Sequence, residues 1–214
     1  IGLLSAGIIG GPILGAAFNM HGQPEAGMGI VAADFDGDGT RDVFLTHLRH
    51  ETNTLYRGLE GGMGFVDDSG PSGLGGSSMA ATGFGIALFD LELDGDLDLG
   101  IANGRVLGRE PDSRAELPAP WDRYAEPNML YANDGQGRFE DMSKVAPDLC
   151  AVPDVARSLA VGDLDGDGDD DLVLTRVEAS ARVLINEAPR VGHWLRISVL
   201  EADGKRHALG ARIH

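Results

Sequence analysis

The most informative part of the chain is the segment Asp34-Phe-Asp-Gly-Asp-Gly-Thr-Arg-Asp42. It recurs without gaps as Asp90-Leu-Glu-Leu-Asp-Gly-Asp-Leu-Asp98 and as Asp163-Leu-Asp-Gly-Asp-Gly-Asp-Asp-Asp171. We call these segments loop 1, loop 2 and loop 3. Each has an acidic residue at positions 1, 3, 5 and 9 and a glycine at position 6. The chain is therefore built from an internal repeat.

Short apolar runs flank each loop; loop 1, for example, lies between Met28-Gly-Ile-Val-Ala-Ala33 and Val43-Phe-Leu45. A further pair of runs with a glycine-containing turn follows in the first two units. Its first members are Asn53-Thr-Leu-Tyr56 and Asn128-Met-Leu-Tyr131, and Ala181-Arg-Val-Leu184 has the same place in the third unit. The pattern predicts about four short strands per unit, with the acidic loop joining the first two.

The second unit is longer than the first because it contains one insertion, within residues 104–127. This segment holds Pro111, Pro118, Pro120, Pro127 and Trp121. Such a proline-rich composition predicts an exposed loop rather than additional sheet.

Repeats whose acidic loops begin at residues 34, 90 and 163, with four short strands in each, have the length and strand content that are typical of β-propeller blades. The sequence therefore predicts an all-β fold, a partial β-propeller of about three four-stranded blades with aspartate-rich calcium loops. Three blades are fewer than the usual minimum of about four. We expect the chain to be part of a larger ring, or to close a ring with another copy. The sequence shows no sustained helical periodicity, which argues against a helical solenoid.

The loops have the chemistry of a calcium site. Ca²⁺ takes six to eight oxygen ligands at about 2.3–2.6 Å, and alternating acids in a tight loop can point several carboxylates inward. Without a cation, carboxylates ~4 Å apart would repel each other by about 1 kcal/mol per pair even in water. We expect one Ca²⁺ per loop, about three ions, held by the side chains at positions 1, 3, 5 and 9 and the backbone carbonyl at position 7. The predicted ligands are Asp34, Asp36, Asp38, Thr40 and Asp42; Asp90, Glu92, Asp94, Asp96 and Asp98; and Asp163, Asp165, Asp167, Asp169 and Asp171.

Two other interpretations of the loops are less favoured. An EF-hand closes with a glutamate at position 12 and lies between helices, but position 12 here is Leu45, Ile101 or Leu174 and the flanks are strand-like. Solvated Asp-Gly turns could account for one such loop. Three loops in register, each with the acid at position 9, favour the metal site.

Charge and composition restrict the partners. There are 34 acidic and 17 basic residues, for a formal net charge of −17, which argues against nucleic acid and anionic membranes as partners. Cys150 is the single cysteine, so no internal disulfide can form and a small buried side chain is expected there. The stretch 1–18 is uncharged but contains five glycines and Pro12. A glycine-rich strand and loop segment is favoured over a membrane span or signal sequence.

The loops and their flanking strands resemble the FG-GAP/VCBS repeat, and Gly83-Phe-Gly-Ile-Ala-Leu-Phe-Asp90 looks like its FG portion. His193-Trp-Leu-Arg-Ile-Ser-Val-Leu200 and Ala208-Leu-Gly-Ala-Arg-Ile213 resemble the opening of the ASPIC/UnbV domain. That domain follows such repeats in cartilage-acidic-protein-like and bacterial secreted proteins. The resemblance implies a propeller of seven blades or a similar number outside the cytoplasm, with Ca²⁺ in its outer loops. The expected domains are an unassigned segment 1–27, repeats over 28–190 and the start of ASPIC/UnbV over 191–214.

The leading functional hypothesis is a calcium-binding extracellular, surface or periplasmic module that binds a protein or a glycan or acts as a scaffold. Catalytic signatures such as Gly-x-Ser-x-Gly, a Walker loop or His-Glu-x-x-His do not occur in the sequence. We therefore expect no enzymatic activity. The alternatives are part of an enzyme acting on polysaccharide or a secondary metabolite, with its active site outside the calcium loops, and a purely structural spacer.

Overall fold

The computed structural model describes residues 14–195, 197–201, 203–204 and 206–208. Most of the uncharged N-terminal stretch and most of the Ala208–Ile213 motif lie outside these residues. The described part is mainly β-structure in three antiparallel sheets, which we call blades 1, 2 and 3. No helix in this part is long and apolar enough to cross a membrane.

Each blade is an antiparallel meander in chain order. Blade 1 contains β1 (Ile30–Ala33), β2 (Asp42–Leu45), β3 (Thr54–Gly58) and β4 (Phe65–Asp67). Blade 2 contains β5 (Gly83–Phe89), β6 (Asp98–Asn103), β7 (Met129–Asn133) and β8 (Phe139–Asp141). Blade 3 contains β9 (Ala156–Gly162), β10 (Asp171–Arg176) and β11 (Arg182–Leu184). The short helices are α1 (Leu74–Ser78), α2 (Pro147–Cys150) and the 3₁₀ turns Glu60–Gly62 and Trp121–Tyr124.

The sequence prediction of an all-β chain made of three blade-like sheets is confirmed. Two blades have the predicted four strands, whereas blade 3 has three among the described residues. The acidic loops join the first and second strands of each blade, as predicted. Because strands and not helices flank the loops, the EF-hand interpretation is excluded.

The first strands of the blades pack side by side, with β5 between β1 and β9. Glycines allow this close approach. A Cβ atom on Gly29 would meet the carbonyl oxygen of Phe84, and one on Gly85 would lie 2.6 Å from the Cα of Ser158. Thr46 links blades 1 and 2, because its hydroxyl donates to the carbonyl of Phe84 at 2.9 Å.

Two apolar clusters hold the blades together. The cluster between blades 1 and 2 contains Phe35, Phe44, Leu55, Leu74, Leu99, Ile101, Tyr131 and Phe139. The cluster between blades 2 and 3 contains Ala87, Phe89, Ala102, Leu130, Leu149, Cys150, Ala156, Leu159, Leu172 and Leu174. Every residue of β6 is buried, because the middle blade is covered on both faces. Cys150 is the small buried side chain that the sequence predicted, and burial raises the pKa of its thiol to about 12.

The insertion contains no strand, as predicted, but it is less exposed than expected. Leu117 and Ala125 are buried with Val155, and Trp121 and Tyr124 pack against this group. The insertion therefore has a small core of its own against blade 3. It lies at the end of the blades opposite the acidic loops, because it follows the second strand of blade 2 whereas loop 2 precedes that strand.

Candidate metal-binding loops

The aspartate at position 9 is the first residue of the second strand of its blade and is buried. Asp42, Asp98 and Asp171 are each 1% exposed. In each case one carboxylate oxygen accepts the backbone N–H of position 2 of the same loop. The other accepts the N–H of the residue at or just after the end of the third strand. The donors are Phe35 and Gly58 in blade 1, Leu91 and Asn133 in blade 2, and Leu164 and Asn186 in blade 3, at 2.7–3.0 Å. Position 9 thus fixes the loop to its sheet.

The carboxylates at positions 1 and 5 organise the turn. At position 1, Asp34 and Asp90 each accept the N–H of the position 6 glycine at 2.9 Å, and Asp163 accepts that of Gly166 at 2.7 Å. At position 5, Asp38 and Asp94 accept the N–H of position 7 at 2.6 and 2.9 Å, and Asp167 does so at 3.3 Å. Such aspartate turns hold the loop in shape without a cation.

Loops 1 and 3 bring three carboxylates together. Oxygens of Asp34, Asp36 and Asp42 lie within 4.8 Å of one another, and so do those of Asp163, Asp165 and Asp171. These are positions 1, 3 and 9 of the predicted ligand set. Two aspartate clusters of this chain could therefore hold a metal ion. The carboxylate at position 5 is outside both groups of three.

Loop 2 differs from the other two loops. Its carboxylates form no such group of three among the described residues. Position 4 has a left-handed backbone in all three loops, with φ of 71° at Gly37, 84° at Gly166 and 58° at Leu93. Only glycine adopts this conformation without strain, so loop 2 is strained where the others are not. The side-chain oxygen Oε2 of Glu92 is buried and has no hydrogen-bond partner.

The electrostatics at three carboxylates of loops 1 and 2 favour protonation or a cation. Burial raises the pKa of Asp98 to about 7, and repulsion by Glu92 and Asp94 adds to the effect although two backbone N–H groups oppose it. Burial likewise raises the pKa of Asp42 and of Glu92, with neighbouring loop carboxylates contributing. A divalent cation would remove the repulsion and stabilise the charged form of each carboxylate.

Two arginines that the sequence analysis did not single out touch the loops. Arg57 of β3 pairs with Asp36 of loop 1, and also with Asp68 at 2.6 Å. Arg190 pairs with Asp167 of loop 3 and with Asp169 at 2.8 Å. The side chain of Asp169 at position 7 is 2% exposed, so its carboxylate faces inward and not toward solvent. Each arginine neutralises part of the charge that a cation would otherwise neutralise.

Asparagines connect loops 1 and 2 to the next blade. The amide Nδ2 of Asn133 donates to the carbonyl of Phe35 at 2.9 Å, and that of Asn186 donates to the carbonyl of Leu91 at 2.8 Å. Phe35 and Leu91 are both at position 2 of their loops. The signal for these bonds was present in the sequence, because both asparagines follow the third apolar run of their units.

A sequence profile described as FG-GAP-like repeat matches residues 34–101 and 121–174. These residues make up more than half of the chain, and the gap between them, residues 102–120, covers most of the insertion. The chain therefore belongs to the FG-GAP-like repeat family, whose repeats form propeller blades of the kind seen here. No curated protein matches the chain.

Proposed function

We propose that this chain is a calcium-stabilised β-propeller module that works outside the cytoplasm as a binding or scaffold unit and not as an enzyme. The observation that carries the proposal is the repeated grouping of carboxylates at positions 1, 3 and 9 in loops 1 and 3. All of these ligands are hard oxygens, which suit Ca²⁺ better than a transition metal. Membership of a repeat family whose members include extracellular binding proteins supports a location outside the cytoplasm.

Calcium would act on stability and not on chemistry. In loops 1 and 3 the three grouped carboxylates would bind the ion, and the position 5 aspartate and the position 7 carbonyl are the remaining ligands in reach along the loop. In loop 2 the buried Oε2 of Glu92 has no hydrogen-bond partner, so a bound ion would supply the contact that this oxygen lacks. With Asp90 and Asp98 it would hold the third ion.

The loops lack a glutamate at position 12, and Arg57 and Arg190 compete with the ion for Asp36 and Asp167. Both features favour weak sites, with dissociation constants of about 10⁻⁴–10⁻³ M, as in extracellular calcium modules. Sites of that strength fill at extracellular calcium concentrations. Secretion, the cell surface or the periplasm is therefore the proposed location, with a protein or a glycan as partner.

The test is calorimetric titration of the EDTA-treated chain with Ca²⁺, together with thermal melts. We expect about three sites and a rise in Tm, since binding to the folded state alone stabilises it. Asp36→Asn and Asp165→Asn should each remove one site, because these residues belong to the clusters but do not cap the buried strand ends as position 9 does. Asp112→Asn, on the opposite face, is the matched control. An unchanged Tm on adding Ca²⁺ would refute the proposal.

A further inference from the structure

A second group of charged side chains lies at the other end of the blades. There the loop after β2 in blade 1 meets the insertion of blade 2, and an open pocket of about 150 Å³ lies between them. It is lined by Leu48, Arg49, His50, Thr82, Arg105, Val106, Leu107 and Arg109. Three arginines thus line one small cavity of a chain whose net charge is −17.

The positive charge in this pocket is only partly neutralised. Glu126 is 1% exposed, and its Oε1 is 3.3 Å from Nη1 of Arg49 and 3.2 Å from Nε of Arg105. The other oxygen of Glu126 accepts the backbone N–H of Thr82 at 2.8 Å. Asp112 also lies within electrostatic range of Arg105, and it is paired with Arg114 at 2.7 Å. The three arginines that line the pocket therefore outnumber the two acids beside them.

Donors in the pocket remain unused. The Nε of Arg49 is buried and has no hydrogen-bond partner, although a buried donor without a partner costs about 1–3 kcal/mol. Within the part of the chain that the structure describes, the guanidinium of Arg109 makes no hydrogen bond or ion pair, and Arg109 is exposed. Arg105 is held in place, since its Nη1 donates to the carbonyls of Glu110 and Arg123 at 3.5 and 3.4 Å.

The backbone at the pocket is also unusual. His50 has a left-handed conformation with φ of 75°, and its N–H donates to the carbonyl of Met79 at 3.0 Å. Non-glycine residues in this conformation cost energy and concentrate at binding sites. Beside the charged groups, Leu48, Val106 and Leu107 provide an apolar wall, and Leu107 is 78% exposed.

We propose that this pocket binds a small aliphatic carboxylate, with its acid group on Arg49, Arg105 and Arg109 and its carbon atoms against Leu48, Val106 and Leu107. Guanidinium groups present paired donors in the planar geometry of a carboxylate. The volume is below the 300–1,000 Å³ of sites for larger ligands, so it suits an acid of a few carbons. The proposed site is independent of the acidic loops, so its test can fail or succeed whether or not the loops bind calcium.

The experiment follows the arginine Nε–Hε signals of the full chain by ¹H–¹⁵N NMR at constant ionic strength. Isobutyrate is the probe, and isobutyramide, which has nearly the same shape but no charge, is the control ligand. We expect a saturable shift of the Arg49 signal with isobutyrate and none with isobutyramide. Equal shifts with both ligands, or no saturable shift of Arg49, would overturn the proposal.

A pair of variants separates binding from folding. Arg109→Gln should weaken isobutyrate binding at least about fivefold, because it removes a charge-assisted contact. It should leave Tm unchanged, because the Arg109 guanidinium makes no hydrogen bond or ion pair within the described residues. Arg138→Gln is the matched control, since Arg138 is an exposed arginine on the β7–β8 turn, at the opposite end. If Arg138→Gln weakens binding as much as Arg109→Gln, the effect is due to the overall charge of the protein and the pocket is not the binding site.

Discussion

At the scale of single residues, the position 9 aspartates have two roles. The oxygens of each accept two backbone N–H groups, and in loops 1 and 3 the position 9 aspartate also belongs to the group of carboxylates that could hold a metal ion. A buried, doubly bonded carboxylate was not evident from the spacing of acids alone. The acid at this position stabilises the fold even where no ion binds, because an apolar replacement would leave two buried N–H groups without an acceptor.

The raised pKa of Asp98 predicts how the stability of the chain depends on pH. The pKa is about 7 in the folded chain and about 3.9 when unfolded. The folded state therefore favours the protonated form of Asp98. The stabilisation that this proton gives to the folded state is complete below about pH 4 and is lost as the pH rises through 7. In EDTA we expect Tm to fall by on the order of 5 °C between pH 5 and pH 8. Thermal melts across this range measure it.

Two comparisons test the cause of that fall. Asp98→Asn should flatten the dependence on pH, whatever its effect on absolute stability, because the titrating group is gone. Saturating Ca²⁺ should also reduce the slope, since the cation stabilises the carboxylate. A Tm that rises with pH in EDTA would contradict the assignment.

The strain at Leu93 makes a prediction about loop 2. A left-handed non-glycine residue costs roughly 1–2 kcal/mol, and loops 1 and 3 avoid this cost with Gly37 and Gly166. Leu93→Gly should therefore raise the free energy of unfolding by about 1 kcal/mol, measured by urea denaturation. Leu97→Gly in the same loop is the control and should destabilise the chain. Destabilisation by Leu93→Gly would show that its side-chain contacts outweigh the strain.

At the scale of strands, the first strands of adjacent blades pack closely against each other. A Cβ on Gly85 would lie 2.6 Å from the Cα of Ser158 and 2.9 Å from the carbonyl oxygen of Arg157. Both are backbone atoms, so blades 2 and 3 would have to separate. Gly85→Ala should destabilise the chain by about 1–3 kcal/mol, as measured by denaturation.

The helix α1 contains the matched control. Gly76 is exposed, and a β-carbon at this position would have no neighbour within 4 Å. Gly76→Ala should therefore be neutral or stabilising by up to about 1 kcal/mol. Equal effects of the two substitutions would mean that the contact between β5 and β9 does not limit packing.

At the scale of the whole molecule, the two interfaces between blades are not equivalent. Between blades 1 and 2, Phe139 of β8 fills the interface and its ring lies edge-on to Phe35, with centroids 5.7 Å apart. Between blades 2 and 3 an open groove of about 770 Å³ lies beside the buried cluster, and it is lined in part by Leu91, Leu130 and Leu184. Among the described residues no fourth strand pairs with β11.

This asymmetry predicts a gradient of local stability. Strands with an open edge and a poorly filled interface open more readily than those inside a sheet. We expect the backbone amides of β11 to exchange with deuterium faster than those of β3 and β7, which hold the same place in blades 1 and 2. Hydrogen exchange measured by NMR or mass spectrometry checks this. Protection of β11 equal to that of β7 would contradict it.

The sequence determined the blades, the three loops and the place of the insertion, because strand periodicity, the acidic repeat and proline content act over a few neighbouring residues. Tertiary structure alone brought Arg57 and Arg190 to the loops, buried part of the insertion against blade 3, and gathered Arg49, Arg105 and Arg109 around one pocket. These contacts join residues far apart in the chain. No local pattern records them, since they depend on how the blades pack against one another.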